Sequence, residues 1–152
     1  MGQRPRHEIR SVKHPGSQLL GVVGHPVGHS QSPALFERIL REAGRADVSY
    51  RAFDLGNISE FPSLVASHPT LRGLNVTVPY KQRILPYLKE LSDEARQLGA
   101  VNTLVREGNG WVGYNTDVWG FQRSIQPFLA NRHERALVLG TGGSAAAVHH
   151  VL

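Results

Sequence analysis

Leu19-Leu20-Gly21-Val22-Val23-Gly24, followed after residues 25–31 by Ser32-Pro33, decides the fold. A short apolar run ending in glycine predicts a buried strand. Ser32 then offers an N-cap and Pro33 a first helical residue. Leu35, Phe36, Ile39, Leu40 and Ala43 recur at helical spacing until Gly44 stops the pattern. The unit is strand, loop, helix.

The same alternation continues outward. Val48-Ser49-Tyr50-Arg51-Ala52-Phe53 alternates as a strand does. Asn57 and Glu60 have capping-box spacing ahead of Phe61, Leu64 and Val65, and Pro62 lies early enough in that helix to be tolerated. Residues 71–78 predict a third strand. Pro79 then opens a helix through Ile84, Leu85 and Leu88 that Pro86 ends or kinks. A short helix over 93–98 closes at Gly99. Residues 100–106 and 111–114 flank Glu107-Gly108-Asn109-Gly110, a hairpin signal. Val118, Phe121, Ile125, Phe128 and Leu129 form one stripe of a longer helix, disturbed near Pro127. Arg135-Ala136-Leu137-Val138-Leu139 predicts a last strand before a glycine-rich turn and an alanine-rich helix. The expectation is an α/β fold: a mainly parallel open sheet flanked by helices, followed by a truncated Rossmann-type βα unit.

Composition narrows the function classes. A length of 152 residues suits one domain, and 40% hydrophobic with 19% charged residues suffices for a core. The absence of cysteine excludes disulfides and thiolate metal sites and fits a reducing cytosol. No apolar stretch approaches a spanning helix, and the basic first 18 residues lack the apolar core of a secretory signal, so they read as a loose tail. The net charge is 17 − 12 = +5, but Arg4, Arg6, Arg10 and Lys13 put four of the basic residues in that tail. The remainder are scattered without an aromatic platform, which argues against nucleic acid and suits a small anionic substrate. Eight histidines form no metal-ligand pattern: His149 and His150 diverge on a helix, and His25 and His29 share a loop. No metal is expected.

Five short stretches carry candidate chemistry. Gly140, Gly142 and Ala145 satisfy the dinucleotide fingerprint directly after a predicted strand, although a bland tight turn gives the same pattern. In an extended loop Ser30 and Ser32 project to one side and could present paired hydroxyls to a carboxylate; alternatively Ser32 is simply a helix cap. Thr77 and Lys81 surround a strand end and a first helical turn, where open α/β sheets bind ligands. A lysine there opposes the helix macrodipole, so either a ligand or plain solvation explains it. Asn102, placed within a strand, faces a ligand or makes a structural hydrogen bond. Asp117 either serves a site or favours a helix N-terminus electrostatically.

In their order, G-H-P-V-G-H-S-Q-S-P (24–33), N-V-T-V-P-Y-K (75–81), G-A-V-N-T-L (99–104), G-Y-N-T-D (113–117) and G-T-G-G-S (140–144) resemble the shikimate dehydrogenase family, with the likeness running over residues 19–152. The resemblance implies that Ser30 and Ser32 bind a substrate carboxylate. Thr77, Lys81, Asn102 and Asp117 would hold ring hydroxyls, with Lys81 and Asp117 at the reacting centre. Gly140, Thr141, Gly142, Gly143 and Ser144 would bind NADP. Two departures stand out: G-T-G-G-S where G-A-G-G-A or similar is commoner, and Val118 where many members carry glycine.

The implied activity is reversible NADPH-dependent reduction of 3-dehydroshikimate to shikimate, on the route to chorismate and aromatic amino acids. A cytoplasmic protein, a homodimer among its states, and no nucleic-acid or membrane partner go with it. The alternatives are a quinate/shikimate dehydrogenase and a shikimate-binding module without redox activity. The expected division is a basic tail at 1–18, a shikimate-binding catalytic domain at 19–118, and a linker helix with the start of an NADP domain at 119–152. On that division the 152 residues alone are expected to be inactive. Leu137, Val138 and Leu139 are expected as a central parallel strand lacking partners, in a stub that is mobile, packed back, or self-associating. Proteolysis is expected near Asn131-Arg132-His133.

Overall fold

A computed structural model describes residues 17–129 and 135–152. Residues 1–16 of the basic tail and the expected cleavage point at Asn131, Arg132 and His133 lie outside the described residues. The elements run β1 (Gln18–Gly24), α1 (Ser32–Glu42), β2 (Val48–Asp54), a 3-10 turn (Ile58–Glu60) into α2 (Phe61–Ser67), β3 (Leu71–Val76) and α3 (Tyr80–Arg83). A second 3-10 turn (Leu85–Tyr87), β4 (Glu90–Leu91), α4 (Asp93–Leu98), β5 (Thr103–Glu107) and β6 (Gly110–Tyr114) follow. The chain then continues through α5 (Asp117–Ile125), a 3-10 turn (Gln126–Phe128) and α6 (Gly143–Val151).

Among the described residues one six-stranded sheet forms, in the order β2-β1-β3-β5-β6-β4. β1 pairs in parallel with β2 and β3, and β4 with β6, whereas β3–β5 and β5–β6 are antiparallel. The sheet is mixed and mostly parallel. Its antiparallel part centres on β5, which runs against β3 on one side and, through the expected hairpin at Glu107–Gly110, against β6 on the other.

This topology gathers loops at one edge. From β1 the chain goes to β2 on one side and then to β3 on the other, so a crevice opens where the order reverses. β5 runs against β3, and β6 against β5. The C-terminal ends of β1, β3 and β6 therefore meet the N-terminal end of β5 at the same edge.

The core lies on one face of the sheet. Val23, Leu71, Ile84, Val101 and Leu104 are completely buried there, joined by Phe61 from α2 and Ala95 from α4. Phe61 meets Trp111 and Tyr87 edge-on, at centroid distances of 6.0 and 5.8 Å. The Asn57–Glu60 capping box forms as expected: Asn57 Oδ1 accepts from Ser59 N–H, and Glu60 Oε1 accepts from Asn57 N–H. Pro86 and Pro127 each sit in a 3-10 turn that ends a helical stretch, because proline lacks the N–H that continuation needs.

Two expectations are corrected, Ser32 as the helix cap and the strand before the glycine-rich turn, and α1, although it forms, lies open. No residue of α1 is buried, and Leu35 and Ile39 each keep 43% of their surface exposed. The helix touches the sheet mainly by stacking Phe36 on Tyr50, with centroids 4.2 Å apart. Its N-cap is Gln31, with Ser32 already helical. Finally, residues 135–140 form no strand, and Leu137 and Leu139 are 85% and 86% exposed. A strand takes its hydrogen bonds from a neighbour, and no described strand lies beside this segment. A helix closes its bonds internally. The expected βα unit is thus represented by its helix alone, which packs back against α5 and α4 and buries Ala147.

Candidate active site

The loop after β1 builds the first half of the site. Asp54, at the end of β2, pairs with His25 Nδ1 at 2.5 Å and accepts Val27 N–H at 3.3 Å. Val27 C=O accepts Ser30 N–H at 3.0 Å, and Ser30 Oγ accepts Ser32 N–H at 3.2 Å. Ser30 therefore uses a lone pair within the loop and keeps its O–H proton to donate. The hydrogen bond with His25 and that from Val27 hold the Asp54 carboxyl below its usual range.

Ser32 opens α1 rather than capping it, which frees its hydroxyl from the helix end. That hydroxyl lies beside Tyr50, whose own O–H donates to Asn75 Oδ1 at 2.7 Å. Burial pushes the Tyr50 phenol up to about 12, and the Ser32 hydroxyl opposes the shift.

The loop after β3 is held close to β1. Thr77 N–H donates to Val23 C=O at 2.9 Å. A Cβ on Gly24 would come within 2.4 Å of Thr77 Cγ2, so only glycine lets Thr77 sit there. Lys81 follows in α3, and its backbone carbonyl accepts Val101 N–H at 2.8 Å.

Beyond the crevice, Asn102 and Asp117 complete a network around Lys81. Lys81 Nζ donates to Asp117 Oδ2 at 2.6 Å and to Ser144 Oγ at 3.1 Å. Asn102 Nδ2 donates to Asp117 Oδ1 and to Thr116 Oγ1, each at 2.8 Å, while Asn102 Oδ1 accepts Thr116 N–H at 3.0 Å. Asn102 sits just before β5, not within a strand as expected; its backbone bonds to Tyr114 C=O and Val76 N–H aim its side-chain amide at these partners. The Lys81 and Asp117 side chains are 15% and 30% exposed. A pair this well covered, with a further hydrogen bond on each partner, is held more firmly than an open surface ion pair.

The structure thus brings Lys81, Asn102 and Asp117 into one cluster and Ser30 and Ser32 into one loop, with Thr77 on the crevice between β1 and β3. Four contributors escaped the sequence reading. Asn115 is buried, donates to Ala100 C=O at 2.9 Å and accepts Asp117 N–H at 3.0 Å, which fixes the aspartate. Thr116 braces Asn102, and Tyr50 braces Asn75. A polar Asn75 within an apolar central strand was the available signal, by the depletion argument applied to Asn102. Tyr50 gave none.

The arrangement offers hydroxyl donors for an anion and, a short way along the same edge, an ammonium coupled to a carboxylate. That suits proton transfer to or from a substrate oxygen. Around the glycine-rich turn, a Cβ at Gly142 would meet nothing within 4 Å, so the backbone there is open to an approaching group ahead of α6. This fits a pyrophosphate at a helix N-terminus, held by residues 140–144. Among the described residues no group of three or more metal-ligating side chains occurs, and no helix is long and apolar enough to cross a membrane.

Comparison with known proteins gives a consistent result. Residues 22–104 match the model of the shikimate dehydrogenase substrate binding domain. A shikimate dehydrogenase (NADP(+)) from Synechocystis is 42% identical over 137 residues, covering 87% of this chain and 46% of that protein. Shikimate dehydrogenase 1 from Peptoclostridium difficile superposes with a TM-score of 0.80 at 34% identity, covering 88% of this chain and 50% of that one. The Thermus thermophilus shikimate 5-dehydrogenase in complex with NADP(H) and shikimate gives 0.76 at 36% identity, over 88% and 51%. The chain spans about half the length of the relatives it matches. With sequence, fold and edge geometry in agreement, the chain belongs to the shikimate dehydrogenase family, of which it carries the substrate-binding domain.

Proposed function

We propose that this chain provides the substrate-binding and proton-transferring half of an NADP-dependent shikimate dehydrogenase. The observation that carries this is the Lys81–Asp117–Asn102 cluster on the same sheet edge as the Ser30–Ser32 loop. Shikimate presents one carboxylate and a ring of hydroxyls. Ser30 and Ser32 donate to the carboxylate, and Thr77, Asn102, Lys81 and Asp117 take the ring hydroxyls.

Reduction of 3-dehydroshikimate needs a hydride at the carbonyl carbon and a proton at its oxygen. Residues 140–144 would hold NADPH, which would supply the hydride. Lys81 supplies the proton from Nζ, and in the reverse direction accepts it from the alcohol. Asp117 holds Nζ at 2.6 Å and so keeps the ammonium at the crevice, next to the substrate oxygen. A positioned acid/base of this kind contributes about 10²–10⁴-fold to turnover.

Amide NMR mapping tests the assignment. Shikimate added to the 15N-labelled 152-residue chain should move the signals of Ser30, Ser32, Thr77, Lys81, Asn102 and Asp117 together. No perturbation at millimolar shikimate, or one confined to residues away from the edge, overturns it.

A further inference from the structure

We propose that Ser144 is a positioning residue for Lys81, so that the orientation of the lysine depends on the docking of the glycine-rich turn. This rests on the reading of Lys81 as the group that faces the substrate hydroxyl. Two separate observations support it.

The first is polar. An ammonium has three protons in a tetrahedral arrangement. Asp117 Oδ2 takes one at 2.6 Å and Ser144 Oγ another at 3.1 Å. With two directions fixed, the third is fixed as well. A lysine held by Asp117 alone could still turn about the single Nζ···Oδ2 axis and sweep its remaining protons around it.

The second is steric. A Cβ built on Gly143 would lie 3.0 Å from Lys81 Cβ, 3.3 Å from Lys81 Cδ and 3.2 Å from Ala100 Cβ. The first turn of α6 therefore rests on the lysine stem while its next residue, Ser144, reaches the tip. Four rotatable bonds make a free lysine costly to order. Contact along the stem and at the head removes much of that freedom before substrate arrives.

Ser144 accepts from Lys81, and its own O–H proton remains to donate onward from the glycine-rich turn. One hydroxyl thus links the two motifs that the sequence keeps 63 positions apart.

The sequence contains three lysines, Lys13, Lys81 and Lys89, so 15N-lysine labelling gives a spectrum that Lys81→Arg assigns. In the 152-residue chain, Ser144→Ala should shift the Lys81 Nζ signal and speed exchange of its protons with water. Shikimate affinity should weaken about three- to tenfold, as for loss of one ordinary hydrogen bond, because Ser144 acts on the substrate only through Lys81. Ser144→Thr, which keeps the hydroxyl, should restore both readouts. An unchanged Lys81 signal in Ser144→Ala overturns the proposal, as does a changed signal that Ser144→Thr fails to restore. If shikimate fails to bind the wild-type chain while the Lys81 signal still responds to Ser144→Ala and is restored by Ser144→Thr, the positioning role stands and the substrate assignment falls.

Discussion

Residues 19–24 and residues 135–140 are alike in composition and opposite in surroundings. Both are short apolar runs that lead into glycine, then a loop or turn, then a helix. Val22 and Val23 are 2% and 0% exposed, with β2 on one side and β3 on the other. Leu137 and Leu139 are more than four-fifths exposed, with no strand among the described residues beside them. Yet the helices behave in the reverse way. α1 buries none of its residues, while α6 buries Gly143 and Ala147 against the lysine stem, Ala100 and the neighbouring helices. A strand is a property of two segments and a helix of one, so identical local patterns give different results when the neighbour differs.

Substitutions can press on this contrast. Leu104→Ala removes a fully buried side chain from the paired core and should cost about 2–5 kcal/mol, read from denaturant unfolding. A loss below about 1 kcal/mol would mean the core is looser than its burial indicates. Gly24→Ala drives a methyl group into Thr77 and the Val78 carbonyl, 2.4 and 2.9 Å away. It should cost about 1–3 kcal/mol and weaken shikimate binding through Thr77.

Tyr50→Phe should cost about 1 kcal/mol at neutral pH by removing the bond to Asn75. Its pH dependence has a definite sign. Burial raises the Tyr50 phenol from 10.0 to about 12, so the protonated form is favoured in the folded chain. That contribution is complete below pH 10 and is lost as pH rises through about 12. The stability gap between wild type and Tyr50→Phe should therefore narrow over this window, and a constant gap would remove the phenol from the account. Smallest of all, Leu137→Ser should change stability by no more than about 0.5 kcal/mol, against the several expected at Leu104. A large loss there would show residues 135–140 to be packed in solution.

What the sequence disclosed follows the same physics. The helix over 93–98, the Asn57 capping box and the hairpin at Glu107–Gly110 are encoded by neighbouring residues, and all three form. The mixed sheet order was hidden, because pairing partners lie far apart along the chain. Ser30, Ser32, Thr77, Lys81, Asn102 and Asp117 could be named from their motifs. The bond from Lys81 to Ser144 could not, since it joins residues whose proximity exists only after α6 packs. Asn115 and Tyr50 act by bracing other side chains, and such roles leave no local pattern to find.

The central claim is that the Ser30–Ser32 loop and the Lys81–Asn102–Asp117 cluster together form a shikimate site. Calorimetric titration of shikimate and of its methyl ester into the 152-residue chain, and into the Ser30→Ala/Ser32→Ala variant, tests it most directly. The wild-type chain should prefer the acid, and the double variant should lose affinity for the acid while the ester changes little. Equal losses for acid and ester, or no binding of the acid to the wild-type chain, would contradict it.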